Sequence, residues 1–226
     1  PQGRLHSFCH AVPGQYHLMA VTLAAGGAFQ WLRNTLREAG NVKLSYVELT
    51  ECATRAPIGA EGLIFLPYLS GERTPHLDPL ARGAFIGLTT RHTIDHMARA
   101  VMEGVVYSLR DGLEIMRELG VAVRDVCATG GGGKSALWRQ MQADIYGAPV
   151  TTLQAEEGPA YGAALLAGVG CGVFADVAAA VEQCVAVAGV TQPDPEAQAR
   201  YDAVYAIYRT LYGQLRGSMT ALARLT

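Results

Sequence analysis

The chain has 226 residues, of which 50% are hydrophobic and 17% are charged, and its formal net charge is −2. This composition predicts a packed globular core and excludes a disordered chain. No lysine and arginine cluster marks a surface for nucleic acid, and no apolar run reaches the roughly 20 residues that span a bilayer, so we expect neither partner. The five cysteines are widely spaced, which predicts a cytoplasmic protein without a disulfide framework or a zinc site.

The N-terminal part is predicted to hold a short strand and a long helix. Residues 4–12 alternate loosely, which favours a strand. Residues 16–40 place their apolar side chains near one helical stripe, and Gly40 is a typical helix end. Gly26 and Gly27 lie inside this predicted helix, where each costs about 1 kcal/mol relative to Ala. Such a cost indicates close approach by a neighbouring backbone or by a ligand, and the pattern alone leaves both alternatives open.

The middle of the chain reads as two strands followed by a long helix. The sequence "GLIFLPYL" at 62–69 predicts a buried strand that Pro67 ends, and "GAFIGL" at 83–88 predicts another. Thr93 is a good cap for an amphipathic helix over 94–119, with its apolar residues on one face.

The C-terminal half continues the alternation of strands and helices. The remaining elements are predicted as strands at 123–130, 149–153 and 181–193 and as helices at 135–146, 158–170 and 195–216. The helix at 158–170 has so many small residues that another element is expected to pack very close to it. Alternating strands and helices without a linker predict one α/β domain.

Four consecutive glycines lie between the strand at 123–130 and the helix at 135–146. Gly133, Lys134 and Ser135 match the end of a Walker A loop, but Ala128 stands where its first glycine is required, which disfavours a P-loop. A weaker inference survives, in which a glycine turn exposes backbone N–H groups to a flat or anionic ligand. The alternative is a tight turn without a ligand. In either case Ser135 is the expected cap of the following helix.

Several segments together resemble one protein family. Residues 83–104, "GAFIGLTTRHTIDHMARAVMEG", resemble the C-terminal signature of the FGGY carbohydrate kinases. Residues 25–33, 129–147 and 157–168 also resemble segments of this family, in the expected order. The resemblance implies an actin-like ATPase (ribonuclease H-like) domain, α/β in class, with a mixed sheet flanked by helices.

The resemblance further implies that residues 1–226 form the C-terminal nucleotide-binding lobe of a two-lobed sugar kinase. The family's N-terminal sugar-binding lobe, its catalytic Asp and its Gly-Thr phosphate hairpin find no counterpart in this sequence. No catalytic residue and no metal ligand is therefore predicted within the chain. The partners implied are ATP, Mg²⁺, a ketose sugar and the missing N-terminal lobe, and the exposed helix faces are compatible with a homodimer.

A set of nucleotide-binding residues is carried over from the family by position. The set consists of Gly26, Gln30, Gly130, Gly131, Gly132, Ser135 and Gln142. Ser135, Trp138 and Gln142 share a helical face, and Trp138 is expected to be a core aromatic residue. For Gln142, ligand contact and a structural role stay open. Lys134 is expected to point to solvent, with contact to an ADP phosphate as the alternative.

The function implied is ATP-dependent phosphorylation of a ketose, and this chain alone is expected to be inactive. One alternative is another sugar kinase of the family, of the gluconokinase or glycerol kinase type. A second is a non-kinase nucleotide-binding protein of the same fold, because fold alone does not determine function. In the loop before residue 83, Glu72 and Arg73 are expected to form a solvated ion pair, with a role in lobe closure as the alternative.

Overall fold

A computed structural model describes residues 3–40, 44–155 and 158–225. The strands are β1 (His6–Cys9), β2 (Tyr16–Met19), β3 (Ile64–Leu66), β4 (Ala84–Ile86), β5 (Val126–Cys127), β6 (Val150–Leu153) and β7 (Val187–Thr191). The helices are α1 (Ala25–Gly40), α2 (Tyr46–Arg55), α3 (Ile94–Glu118), α4 (Gly130–Lys134), α5 (Ala136–Tyr146), α6 (Gly158–Gly170), α7 (Val177–Cys184) and α8 (Pro195–Ala223).

The strands form three small sheets in the described residues. β1 pairs antiparallel with β2, and β3 pairs antiparallel with β4. β6 is the middle strand of the third sheet, parallel to β5 and antiparallel to β7. The class is therefore mixed α/β as predicted, and the mixed sheet is three-stranded in this part of the chain.

Helix α3 forms the centre of the core. Its residues 98–108 are all buried, because α1, α2, α5, α8 and β3 pack around it. The prediction of one apolar face was therefore wrong for this stretch, although the helix bounds differ by only one residue. A side chain at Gly104 would collide with the carbonyl oxygen of Phe65 in β3. The absence of a side chain at Gly104 is what lets helix and strand pack so closely.

The buried ion pair of Arg99 and Glu103 connects α3 to neighbouring segments. Arg99 Nε donates to Glu103 Oε1 at 2.8 Å, and its remaining nitrogens reach the Ala56 carbonyl and the Tyr201 hydroxyl. The Glu103 carboxylate also accepts from the backbone N–H of Gly59. Because its polar atoms are hydrogen-bonded, this pair joins three segments without leaving a buried charge unpaired.

The predicted helix over 16–40 was wrong in its first third. Tyr16–Met19 instead forms β2, which pairs with His6–Cys9, and α1 begins only at Ala25. Hairpin pairing with an adjacent strand overrides the helical pattern of these residues, since propensity is only a weak preference. Gly26 and Gly27 consequently lie in the first turn of α1 and not in the middle of a helix.

Two further differences concern element boundaries. The strand predicted at 181–193 starts only at Val187, because Val177–Cys184 forms helix α7. The Asp176 side chain caps this helix by accepting from the Ala179 N–H. β7 then covers Val187–Thr191. The last helix continues beyond residue 216 to Ala223.

Among the described residues, helix α6 has no close neighbour of the kind that its small residues predict. None of its side chains is buried in the described structure, and it packs mainly against α7. Of its four glycines, Gly168 alone would bring a side chain against another residue, the ring of Phe174. Within the described ranges, no helix combines the length and hydropathy needed to cross a membrane.

Candidate functional site

A cleft of about 780 Å³ opens between α1, α2, α3 and the start of α5. Six of the seven residues predicted to bind nucleotide line it, namely Gly26, Gln30, Gly131, Gly132, Ser135 and Gln142. The seventh, Gly130, lines an adjoining cleft of about 540 Å³ between α4, β6 and β7. Thr129 and Lys134 line both clefts, so the two meet at α4. Residues from distant parts of the sequence thus converge on one concave surface.

The first wall of the cleft is the N-terminal half of α1. Gly26 lies in its first turn, and Gln30 follows four residues later on the same face. A side chain built at Gly26 or Gly27 would meet no heavy atom within 4 Å. Within the described residues this excludes the neighbouring backbone as the reason for the two glycines. Gly26 lines the cleft and Gly27 does not, so a ligand in the cleft remains the prediction for Gly26.

The second wall is the glycine run, which forms the short helix α4 and not the simple turn that was predicted. Gly130 has a φ of +66°, a backbone conformation that residues with a side chain rarely adopt. A Cβ at Gly133 would lie 2.8 Å from the Ala128 carbonyl oxygen. The backbone therefore requires glycine at two of the four positions. A Cβ built at Gly131 would meet no described atom outside the backbone of its own helix within 4 Å, and a Cβ at Gly132 would lie 3.7 Å from Nε2 of Gln142. These two positions leave open space towards the cleft.

Ser135 connects the two helices at the edge of the cleft. Its hydroxyl accepts a hydrogen bond from the Trp138 N–H at 3.3 Å, which confirms the predicted cap of α5. Its own N–H donates to the Gly131 carbonyl. Ser135 therefore fixes the angle at which the glycine segment meets α5.

Trp138 and Gln142 form the floor of the cleft. The Trp138 ring is buried and meets Phe29 of α1 edge-on, with centroids 5.4 Å apart, which confirms its predicted role as a core aromatic residue. Gln142 Nε2 donates to the carbonyl oxygens of Gly132 at 3.3 Å and Trp138 at 3.2 Å. The amide group of Gln142 thus holds the glycine segment by a hydrogen bond. This is a structural role, one of the two roles that the sequence left open for Gln142.

The third wall, helix α2, was missed in the sequence. Tyr46, Val47, Thr50, Glu51 and Thr54 line the cleft from this helix. Its start is marked by a capping box, in which the Ser45 hydroxyl accepts from the Glu48 N–H and the Glu48 carboxylate accepts from the Ser45 N–H. The pattern Ser-x-x-Glu at 45–48 is the signal that identifies this helix.

Aromatic groups line the junction of α1 and α2. The Tyr46 ring stacks beside Phe29 with centroids 6.3 Å apart, and the Arg33 guanidinium lies 4.4 Å over the Tyr46 ring. An apolar and aromatic cleft with a few polar groups is typical of a site for a flat organic ligand.

The described residues contain no group of three or more His, Cys, Asp or Glu side chains that could hold a metal ion. Arg139, at the adjoining cleft, donates to the carbonyl oxygens of Gly133 and Lys134. This arrangement orders the end of α4 and directs the arginine towards the backbone. Positive charge therefore borders the glycine segment, which suits an anionic ligand.

The expected solvated ion pair of Glu72 and Arg73 was wrong. Glu72 is 2% exposed, and its carboxylate accepts from Thr22, Leu23, the Arg73 N–H and Ser108. The Arg73 guanidinium instead lies 2.9 Å from His6 Nε2. Burial raises the pKa of the Glu72 carboxyl above its usual value.

A family comparison matches residues 1–171 to the model described as "FGGY family of carbohydrate kinases, C-terminal domain". A xylulose kinase of Staphylococcus epidermidis (strain ATCC 12228) is 43% identical over 222 residues, which is 98% of this chain and 44% of that protein. A xylulose kinase of Escherichia coli (strain K12) is 40% identical over 95% of this chain and 43% of that protein. The chain thus spans less than half the length of these relatives.

Solved structures give the same picture. A ligand-bound xylulose kinase from Lactobacillus acidophilus superposes with a TM-score of 0.87 at 31% identity, over 98% of this chain and 44% of that one. A gluconate kinase from Lactobacillus acidophilus superposes with a TM-score of 0.83 at 32% identity, over 96% of this chain and 43% of that one. These matches confirm the actin-like ATPase fold expected from the sequence.

Proposed function

The chain belongs to the FGGY family of carbohydrate kinases and matches the C-terminal domain of that family. We propose that it supplies the nucleotide-binding lobe of an enzyme that phosphorylates D-xylulose with ATP. The observation that carries the proposal is the cleft on which Gly26, Gln30, Gly131 and Gly132 converge. The choice of sugar is supported by the similarity to xylulose kinases over 98% of the chain. Membership of this family argues against the alternative of a non-kinase protein of the same fold.

The residues of the cleft suit the adenosine part of ATP. The open space at Gly26 and Gly131 lets a flat base or ribose lie directly against the backbone. The apolar side chains of Phe29 and Trp138 also line the cleft, and they would exclude water from a bound base. Phosphoryl transfer rests mainly on the positioning of its reactants, so a rigid adenosine site contributes by holding the nucleotide in one orientation.

Mg²⁺ is part of the proposal, but the described residues do not fit a metal site of their own. Because the described residues hold no cluster of three acidic or imidazole groups, the ion would be held mainly by the nucleotide phosphates. Mg²⁺ in kinase sites is commonly bound in this way, with one or two carboxylates plus substrate phosphates. No step of the reaction is assigned to this chain through the ion.

The N-terminal lobe of the same protein is the proposed partner of this chain. The relatives are more than twice as long as the segment they share with it, and a carboxylate that takes the proton of the sugar hydroxyl is needed for the reaction. We expect that carboxylate to lie in the N-terminal part, so the 226-residue chain alone should show no turnover. A homodimer and a cytoplasmic location stay predictions from the sequence.

The test is a coupled assay of ADP release with the full-length protein. D-xylulose, gluconate, glycerol and rhamnulose are compared by kcat/KM at saturating ATP, and omission of the sugar measures the background ATPase rate. The proposal expects a clear preference for D-xylulose. A preference for any of the other three would refute the choice of sugar while leaving the kinase assignment intact.

Gluconate is the second candidate substrate. It is supported by the L. acidophilus gluconate kinase, whose structure superposes nearly as well as that of the xylulose kinase. The same assay separates the two, because gluconate carries a carboxylate that D-xylulose lacks. Activity with gluconate that falls steeply with added salt would support the second candidate.

A further inference from the structure

Glu72, in the loop between β3 and β4, has a buried carboxylate with no basic partner among the described residues. Four groups donate to it instead. Its Oε2 accepts from the hydroxyls of Thr22 at 2.7 Å and Ser108 at 3.4 Å. Its Oε1 accepts from the backbone N–H groups of Leu23 at 3.1 Å and Arg73 at 2.8 Å. A buried carboxylate held by neutral donors alone depends strongly on each of them.

Two of these donors belong to the connection between β2 and α1. Thr22 and Leu23 lie two to three residues before Ala25, where α1 begins, and the first turn of α1 contains Gly26 of the cleft. The same connection is held once more by Thr74, whose hydroxyl accepts from the Val21 N–H at 3.0 Å and whose N–H donates to the Val21 carbonyl at 2.9 Å. The loop around Glu72 therefore fixes the place where α1 begins.

The fourth donor, Ser108, belongs to helix α3, which also contributes to the cleft. Its single hydroxyl proton is shared between the Thr22 hydroxyl oxygen at 3.0 Å and the Glu72 carboxylate at 3.4 Å. Val105 and Leu109, on the same stretch of α3, line the cleft. One carboxylate thus joins the start of α1 to the part of α3 that faces the same cleft.

We propose that Glu72 is a positioning residue for nucleotide binding, which holds the start of α1 at the distance from α3 that the adenosine requires. The inference rests on the proposed function, since it takes ATP as the ligand of the cleft. Glu72 itself does not line the cleft, so it acts through α1 and not by touching the nucleotide.

The decisive comparison is between two substitutions of Glu72 in the full-length protein. In Glu72→Gln the amide oxygen can accept from the two backbone N–H groups, while the amide nitrogen donates to the two hydroxyl oxygens, so the arrangement is retained. Glu72→Leu removes every acceptor at similar size. We expect the ATP dissociation constant, measured by calorimetry, to rise about tenfold or more in Glu72→Leu and by less than about threefold in Glu72→Gln.

A second pair of substitutions covers the case in which Glu72→Leu does not fold. Thr22→Val removes one half-buried hydroxyl that contacts Glu72, and we expect it to weaken ATP binding about threefold or more. Tyr208→Phe removes one buried hydroxyl that contacts the Tyr68 hydroxyl and lies away from the cleft. It is the matched control and should bind ATP like the unmodified protein.

The outcomes are separable. If Glu72→Leu or Thr22→Val lowers the melting temperature but binds ATP normally, Glu72 is only structural and the inference is overturned. Equal weakening by Tyr208→Phe would overturn it as well, because loss of any buried hydrogen bond would then suffice. If the unmodified protein binds no ATP, the proposed function fails and the inference fails with it.

Discussion

Gly104 in the buried helix α3 and Gly131 in the glycine segment α4 differ in what surrounds them. At Gly104 in α3 a side chain would collide with the backbone of β3, so the fold itself requires glycine. At Gly131 in α4 a side chain would meet nothing within 4 Å, so the described fold does not require it. A glycine that the fold does not need, next to a cleft, indicates space kept for a ligand. The difference predicts that substitutions in the two helices will change different measurements.

The largest effect is expected for Gly104→Ala. The added methyl group collides with a β3 carbonyl that cannot move without disturbing the core, so we expect a loss of about 3 kcal/mol or more in the free energy of unfolding. Chemical denaturation measures it. Gly213→Ala, in the exposed part of α8 where a side chain meets nothing within 4 Å, is the control and should be neutral or slightly stabilising. Equal stability of both variants would show that α3 and β3 are not in contact as described.

Gly131→Val should show the reverse pattern. The valine side chain would fill the space at the cleft, so we expect ATP affinity to fall by about 2 kcal/mol or more, roughly 30-fold. The free energy of unfolding should change by less than about 1 kcal/mol, since a Cβ at this position meets no atom within 4 Å. Calorimetric titration and denaturation of the same preparation give both numbers. Unchanged ATP affinity would reject the adenosine site at α4.

Asp111→Asn tests the core side of the comparison through pH. Burial raises the pKa of Asp111 to about 6, while the Tyr205 hydroxyl donates to it. Because the pKa is higher in the folded state, this carboxyl stabilises the fold below about pH 4 and loses that contribution as the pH rises through 6. We expect the asparagine variant to gain stability relative to the unmodified protein between pH 4.5 and 7, by on the order of 2 kcal/mol.

The quantity to measure is the difference in the free energy of unfolding between Asp111→Asn and the unmodified protein, by denaturation at pH 4.5 and at pH 7. The pH dependence of either protein alone is not sufficient. Burial lowers the pKa of His76 to about 4, so its contribution is present above pH 6.5 and is lost as the pH falls through 4. This trend opposes that of Asp111 in the same window and cancels in the difference. ATP affinity should stay unchanged in Asp111→Asn, since Asp111 does not line the cleft and its hydrogen bond joins it to Tyr205 of α8 and not to α1.

The smallest effect is expected for Ser135→Ala, at the junction of the cleft with α5. Loss of the cap should cost about 1 kcal/mol in the free energy of unfolding. The melting temperature should fall by a few degrees, on the order expected for such a change. ATP affinity should fall slightly, because the same residue fixes the angle of the glycine segment. A large loss of affinity at normal stability would instead indicate direct contact between Ser135 and the nucleotide.

Elements with strong local signals could be predicted from the sequence. Thr93 marks the start of α3, and Ser135 marks the start of α5. The family resemblance predicted Gly26, Gln30, Gly131 and Gly132 as nucleotide-binding residues, and the fold brings them to one cleft. The helix α2 could have been found from Ser45 and Glu48, since its capping box is local.

Other features depend on contacts between distant segments. The residues of β2 become a strand because β1 lies beside them, and no local pattern shows that pairing. The burial of Glu72 depends on Thr22 and Ser108, which are 50 and 36 residues away. A polar loop flanked by prolines reads as solvated until those partners are known, and for this reason the predicted ion pair was wrong.

The two tryptophans of the chain lie in very different surroundings. Trp31 stacks on Phe65, 5.8 Å away, and does not line the cleft, whereas Trp138 forms part of the cleft floor. Replacing Trp31 by phenylalanine would leave Trp138 as the chain's single indole fluorophore, placed at the proposed base site. The chain would then report occupancy of the cleft through its own ultraviolet emission, without a label and without a sugar.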